Sequence, residues 1–405
     1  MNSVLLIRLG GLGDLLVAYP SIALIRKALI AGRGEVTDRD ENEGQTSRIN
    51  ESYQAGCSDE GCQPFLGGES SHTSLGEESS QPGSADEGSP TNNKLNEREK
   101  LGAESVHALK LVLACRTEYG ILLKEAGIVD EVLDAGSAAA SGLFGGPGAS
   151  SHLAREELIG RPSAAYGLIA GWMQSEKTRL DMERSLLNSG RSRILLIDSE
   201  PCSGLLSRFF FDKTAEFLAS EGFGPLPTFE ECFFLRVPSR WIEEGRKISA
   251  MIAAKPESPS ANKLAVVHPG SGSASKRWPL ANFADIISRL ASAGVSGCLV
   301  TGEAEEDMIP SLNSLSLPDT WRWVHRPPLC ALAGMIASSA LYLGNDSGVT
   351  HLAAVCGASG AGVFLKDHEL RWAPYGCIRV VSEADVKNIS IASIWKICCR
   401  FLATG

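Results

Sequence analysis

At 405 residues the chain is too long for one ordinary domain and comfortable for two, each able to bury a core of its own. An apolar share of 43% and a mean hydropathy of -0.01, with no apolar run near the roughly 18 residues that span a bilayer, exclude a helical membrane-spanning protein. The net charge of -10 is local: residues 34–104 carry 16 Asp and Glu against 5 Lys and Arg, leaving the rest of the chain at +1, which argues against a nucleic-acid partner.

Met1 to Arg8 passes directly into a short apolar run that ends at an arginine, without the basic region, long apolar core and small-residue cleavage site of a secretory signal, so a cytoplasmic protein is expected. The 11 cysteines are scattered with no CxxC pair and read as reduced thiols. SVLLIRL (3–9) predicts a strand. Gly10, Gly11 and Gly13 then form a tight loop into a helix with apolar residues at helical spacing. From 33 to 105 the composition shifts to Gly, Ser, Glu, Asp and Asn, too polar to offset chain entropy by burial, and predicts a disordered acidic insertion. Strand (108–115), helix (117–128) and strand (129–135) then restore the alternation, so the insertion splits a domain and does not separate two.

A strand over 166–171, a polar helix near 175–189, a strand over 193–198 and a helix near 205–221 complete a first domain, residues 1–237. Residues 238–262, rich in Pro and Ser around one short helix, predict the interdomain linker. A second domain, 263–389, is expected from strands at 263–268, 297–301, 340–344, 361–365 and 378–382 with helices at 280–293, 329–339 and 348–356. A last helix over 390–405 is placed where it can cross back to the first domain. Strands alternating with helices imply parallel sheets covered on both faces, so the fold class is α/β with two doubly wound, Rossmann-like domains facing each other across a cleft.

Ligands of such sheets bind beyond the carboxyl ends of the strands. GSGSASKRWP (270–279) follows the strand ending in His268. Gly270, Ser271 and Gly272 let backbone amides approach a ligand, Ser273 and Ser275 offer hydroxyls, and Lys276 adds a positive charge, the chemistry of a phosphate clamp. GNDSGVTHLAAVCG (344–357) takes a strand into a helix that Asp346 or Ser347 would cap, and the helix N-terminus can face a diphosphate. His351, one turn into that helix, either faces the same pocket or packs in the core. RLGGLGD (8–14) lacks the GxGxxG spacing of a dinucleotide site. Its Asp14, at the helix start, suits a general base for a hydroxyl nucleophile and equally a helix N-cap. Glu303 could accept the two hydroxyls of a ribose, while Glu305, Glu306 and Asp307 read as a solvated acidic cluster.

Together RLGGLGDLL, HPGSGSASKRWP and GNDSGVTHLAA resemble the ADP-heptose:lipopolysaccharide heptosyltransferases, glycosyltransferase family 9, over essentially all the chain except 33–105. The resemblance implies a GT-B architecture and inverting transfer of heptose from ADP-heptose to the lipopolysaccharide inner core, with no metal or other cofactor. On it, Asp14 is the base, Ser273 and Lys276 hold the diphosphate with help from Ser271, Gly272 and Ser275, and Lys276 also supports departure of the nucleotide. Asp346, Ser347, Gly348 and His351 line the donor pocket, and Glu303 holds the ribose. The first domain then takes a lipid-linked saccharide, with peripheral contact at the cytoplasmic face of the inner membrane; no acceptor residue is assigned, and Arg8, Arg26, Lys27 and Arg116 are basic residues available to an anionic acceptor. The chain departs from the family pattern after the strand at 361–365, where Lys366-Asp367-His368 replaces a small-residue, Pro and Thr turn. Alternatives are a GT-B enzyme with another nucleotide sugar or glycan acceptor, and a nucleotide-binding module without transfer; the glycine spacing counts against a dehydrogenase.

Overall fold

The computed structural model describes residues 3–31, 109–136, 157–158, 161–162, 166–186, 192–200, 202–250 and 263–404. The expected insertion, 33–105, lies outside these residues, as does 251–262 of the expected linker.

The first domain runs β1 (Ser3–Arg8), α1 (Leu12–Ala31), β2 (Lys110–Cys115), α2 (Thr117–Glu125) and β3 (Glu131–Asp134). A two-residue antiparallel pair follows, β4 (Glu157–Leu158) with β5 (Arg161–Pro162), then β6 (Leu168–Met173), α3 (Glu176–Leu186), β7 (Arg193–Asp198), α4 (Leu206–Ser220) and α5 (Phe229–Phe233). Its sheet is parallel with the order β3-β2-β1-β6-β7. Side chains alternate across it, as the pleat requires: Val4 and Leu6 face one core, Leu5 and Ile7 another.

After α6 (Ser239–Ala250), the second domain runs β8 (Leu264–His268), α7 (Leu280–Ser292), β9 (Ser296–Thr301), α8 (Ile309–Asn313) and β10 (Trp321–His325). It closes with α9 (Leu329–Ala337), β11 (Leu341–Asn345), α10 (Gly348–Val355), β12 (Gly360–Leu365), α11 (Lys366–Trp372), β13 (Ile378–Glu383) and α12 (Ile391–Thr404). The sheet order is β10-β9-β8-β11-β12-β13, so connections reverse between β8 and β11, as they do between β1 and β6 in the first sheet. β10 was not anticipated, because WRWVH interleaves Arg322 and His325 with its aromatics; it is an edge strand, and only Trp321 of the five is buried.

One core runs through both domains. Val266, Cys298 and Tyr342 on the inner face of the second sheet join Leu352 and Val355 of α10, and these join α1 and the face of the first sheet bearing Val4 and Leu6. Helix α1 is therefore buried from Leu12 to Leu29 on nearly every side, as expected of a helix apolar all round.

Two boundary expectations are corrected. Helix α6 is not a free linker: it packs on α9 through Gly245 and Gly334, where a Cβ on Gly334 would lie 1.8 Å from the Trp241 carbonyl oxygen, and it belongs to the second domain. Helix α12 does not cross back. Its Ile394 and Cys398 sit in the outer core of the second sheet with Val267, Leu299 and Leu343, because that face would otherwise be bare. Near the sheet edges of the first domain, the second reaches it with α11 against α4 and with α9 against α2.

Candidate active site

On the first domain the site starts from Arg8, the last residue of β1, buried to 2% exposure. Its guanidinium donates to the Trp172 carbonyl (2.7 Å), the Asp14 carbonyl (2.8 Å) and Asp14 Oδ1 (3.0 Å), and lies over the Phe210 ring. Burial lowers the Arg8 pKa and Asp14 opposes that shift. Arg8 is thus the partner of Asp14 and is not open to an acceptor. Asp14 is not the N-cap of α1; it stands one turn inside, and Oδ2 reaches back to accept from Gly11 N (2.9 Å). Gly10 has φ +114°, and a Cβ there would meet Asp14 Oδ2 at 2.4 Å, so the turn needs glycine twice over. Gln174, just past β6, donates to Asp14 Oδ1 (3.1 Å).

On the second domain the loops after β8 and β11 are stitched together by Asn345. Its Nδ2 donates to the Pro269 carbonyl (2.7 Å), and its Oδ1 accepts from Trp278 N (3.1 Å). Ser271 donates to the Asp346 carbonyl (2.7 Å), and Arg277 donates to the Ser271 and Ala304 carbonyls. Ser347 caps α10, accepting from Thr350 N. Asp346 Oδ2 takes Lys276 Nζ at 2.9 Å and His368 Nδ1 at 3.0 Å. At the end of β9, Glu305 is buried: Oε2 accepts from Gly302 N (2.7 Å), and a Cβ on Gly270 would strike Oε1 at 2.0 Å.

The two halves meet backbone to backbone. A Cβ on Gly348 would lie 2.8 Å from Gly13 N, and one on Gly13 would lie 3.4 Å from the His351 ring. The N-termini of α1 and α10 are thereby neighbours on one cleft of about 1260 Å³, lined among others by Asp14, Gln174, Lys276, Glu303, Arg326, Asp346, His351 and His368. Burial holds the His351 pKa down, with Asp346 and Asp14 pulling it up, so the ring stands neutral between two acids. His268 is lowered for the same reason, and its Nδ1 donates to the Val300 carbonyl (3.0 Å).

Residues 238–389 match Glycosyltransferase family 9 (heptosyltransferase). The second domain belongs to glycosyltransferase family 9. The whole chain is similar in fold to a glycosyl transferase family 9 protein from Veillonella parvula (TM-score 0.62, 11% identity, covering 100% of this chain and 98% of that one). It is also similar to the E. coli ADP-heptose lps heptosyltransferase II (TM-score 0.58, 14% identity, 100% and 99%) and to E. coli heptosyltransferase WaaC (TM-score 0.53, 13% identity, 98% and 99%). A comparison with curated proteins gave no match. The fold is GT-B and the chain is a glycosyltransferase.

In this glycosyltransferase the structure brings Asp14, Ser271, Gly272, Lys276, Glu303, Asp346, Ser347, Gly348 and His351 to the cleft. Ser273 and Ser275 lie outside its lining, exposed, with their hydroxyls 2.9 Å apart. The Ser271 hydroxyl is committed to a carbonyl, so it shapes the loop. Glu303 is exposed, 3.8 Å from Arg326, and the neighbouring acids do not form a uniform solvated cluster. Glu305, the third residue of a 3₁₀ turn over Glu303–Met308, folds back onto Gly302 N and is 2% exposed.

Gln174, Arg326 and His368 were missed. Arg326, at φ 51°, follows β10 and carries its strained backbone into the cleft, with its amide donating to the Thr301 carbonyl (2.7 Å). A lone Gln after an apolar strand carries no sequence signal. His368 had one, its place just beyond the carboxyl end of β12.

Among the described residues no helix is long and apolar enough to cross a membrane.

Proposed function

We propose that the chain moves a heptose from ADP-heptose to the lipopolysaccharide inner core by an inverting displacement that uses no metal. The observation that carries this reading is the contact of Gly13 with Gly348, which sets Asp14 and the Ser347-capped helix with Lys276 on one cleft beside a family 9 domain. Support for the donor comes from WaaC, which is similar in fold and has been solved with ADP-2-deoxy-2-fluoro heptose and with ADP.

The acceptor hydroxyl attacks the anomeric carbon from the side of the first domain, and Asp14 takes its proton. As the new O–C bond forms, the bond from the anomeric carbon to the phosphate oxygen breaks, and its electron pair leaves on the nucleoside diphosphate. Attack opposite the leaving group inverts the configuration. Charge gathering on the diphosphate meets Lys276 and the free amides of the α10 N-terminus. Arg8, Gln174 and Gly11 N fix the orientation of the Asp14 carboxylate before substrate arrives. The acceptor, a lipid-linked saccharide, would be met by peripheral contact with the cytoplasmic face of the inner membrane.

The test is product analysis after incubation with ADP-heptose and heptose-deficient lipopolysaccharide, with and without EDTA. A heptosylated product of inverted anomeric configuration, unaffected by EDTA, is expected. A thermal-shift panel of ADP, GDP and UDP species runs beside it, and stabilisation by UDP species alone would sink the ADP-heptose assignment.

A further inference from the structure

We propose that His368 is a ligand of the donor's diphosphate, giving a hydrogen bond from Nε2–H to the phosphate distal to the nucleoside while Asp346 holds Nδ1–H. The inference rests on the donor reading above and adds a residue that the family pattern does not supply. A carboxylate can only accept, so the 3.0 Å contact to Asp346 Oδ2 places a proton on His368 Nδ1. That leaves Nε2 as the ring nitrogen with no protein partner among the described residues. The Asp346 side chain is 7% exposed, whereas Lys276 and His368 are 26% and 34% exposed and both line the cleft. The acid is the floor of the cluster and the two nitrogen bases are its open edge.

Charge balance makes His368 matter. Lys276 is neutralised by Asp346, Asp14 by Arg8, and His351 stands neutral through burial. The cluster that must face a diphosphate therefore has no net positive charge unless the His368 ring carries its second proton. An imidazolium between Asp346 and a phosphate has an acceptor for each N–H, so binding of the anion itself favours that state. The ring is held at the cleft by its own helix: Arg371, one turn along α11, donates to the Ser199 carbonyl in the first domain, and Ser199 in turn donates to the Gln174 carbonyl (2.7 Å).

The experiment is calorimetric titration of the full chain with the pairs ADP and AMP, GDP and GMP, and UDP and UMP, for the wild type, His368→Gln and His368→Lys. The wild type is expected to prefer its diphosphate over the matching monophosphate. His368→Gln should lose that preference by roughly 10- to 100-fold in diphosphate affinity, the range of one hydrogen bond to a charged group, with monophosphate affinity and the unliganded melting temperature unchanged. His368→Lys, which keeps a cation at the rim, should retain most of it. Wild-type diphosphate affinity in His368→Gln, or an equal loss for mono- and diphosphate, overturns the proposal and leaves the donor reading standing. If the wild type binds no nucleoside diphosphate, the donor reading falls and this inference with it.

Discussion

Gly13 and Gly348 touch across the interdomain cleft with no side chain between them, a Cβ on Gly348 falling 2.8 Å from both Gly13 N and Leu12 Cβ. The N-termini of α1, which carries Asp14, and α10, which Ser347 caps, are registered by this contact. Gly348→Ala must push them apart. We expect a loss of about 1–3 kcal/mol in stability from overpacking, and about 100-fold in turnover because a shift near 1 Å spoils alignment. Thermal unfolding and steady-state kinetics on the same preparation check both; unchanged turnover would show that the spacing is not critical.

Asp14→Asn keeps the size of the side chain and removes the proton acceptor. Turnover should fall roughly 10²- to 10⁴-fold, the usual contribution of a positioned base, while affinity for ADP stays as in the wild type. If transfer survives at the wild-type rate, Asp14 serves α1 alone, through its bond to Gly11 N.

Lys276→Met removes the cation paired with Asp346, the one assigned above to the leaving group, and leaves Asp346 its hydrogen bond from His368 Nδ1. A fall in kcat of about 100-fold or more is expected, in line with loss of one charge-stabilising group. A rise in KM with kcat unchanged would show instead that Lys276 binds substrate and transition state equally.

Glu303 and Glu305 are two residues apart and should behave oppositely. Glu305→Ala strips Gly302 N of its acceptor and hollows the space under Gly270, and should cost about 1–3 kcal/mol. Glu303→Ala should leave the melting temperature alone and raise KM for the nucleotide sugar if its carboxylate holds the ribose. Equal melting temperatures for the two variants would contradict the burial of Glu305.

His268 and His351 both have pKa values pushed below the ordinary 6.5 by burial. In the window between the lowered values and 6.5 the unfolded chain binds more protons than the folded one, so stability falls as the pH drops below 6.5 and is fully present above it. Chemical denaturation from pH 7.5 to 5 should show this slope, and His351→Gln should flatten part of it.

Much of the fold was legible because strand and helix periods are local properties. SVLLIR, KLVLAC and LAVVH read as strands, and Gly10 and Gly348 mark turns whose backbones a side chain would block. A cap at Asp346 or Ser347 followed from their place before GVTHLAAV, and the fold gives it to Ser347. Partnerships were not legible. Nothing near Arg8 in the chain says that it is buried under Asp14, since Trp172 and Phe210, which enclose it, lie far along the sequence. Glu305 sits in a run of acids that looks solvated until Gly270 is placed over it. The short helix α6 reads as a connector because its partner α9 begins some eighty residues later.

The residues alone therefore established two parallel α/β domains, the loops after β8 and β11 that reach the cleft and the glycine turn of the first domain, since each depends on neighbours in the chain. Folding decided the rest. It brought Gly13 against Gly348, made Asp346 the shared acceptor of Lys276 and His368, and paired Asp14 with a buried Arg8. Those are contacts between strand ends at the reversal points of two sheets, and only the packing of one domain on the other makes them neighbours.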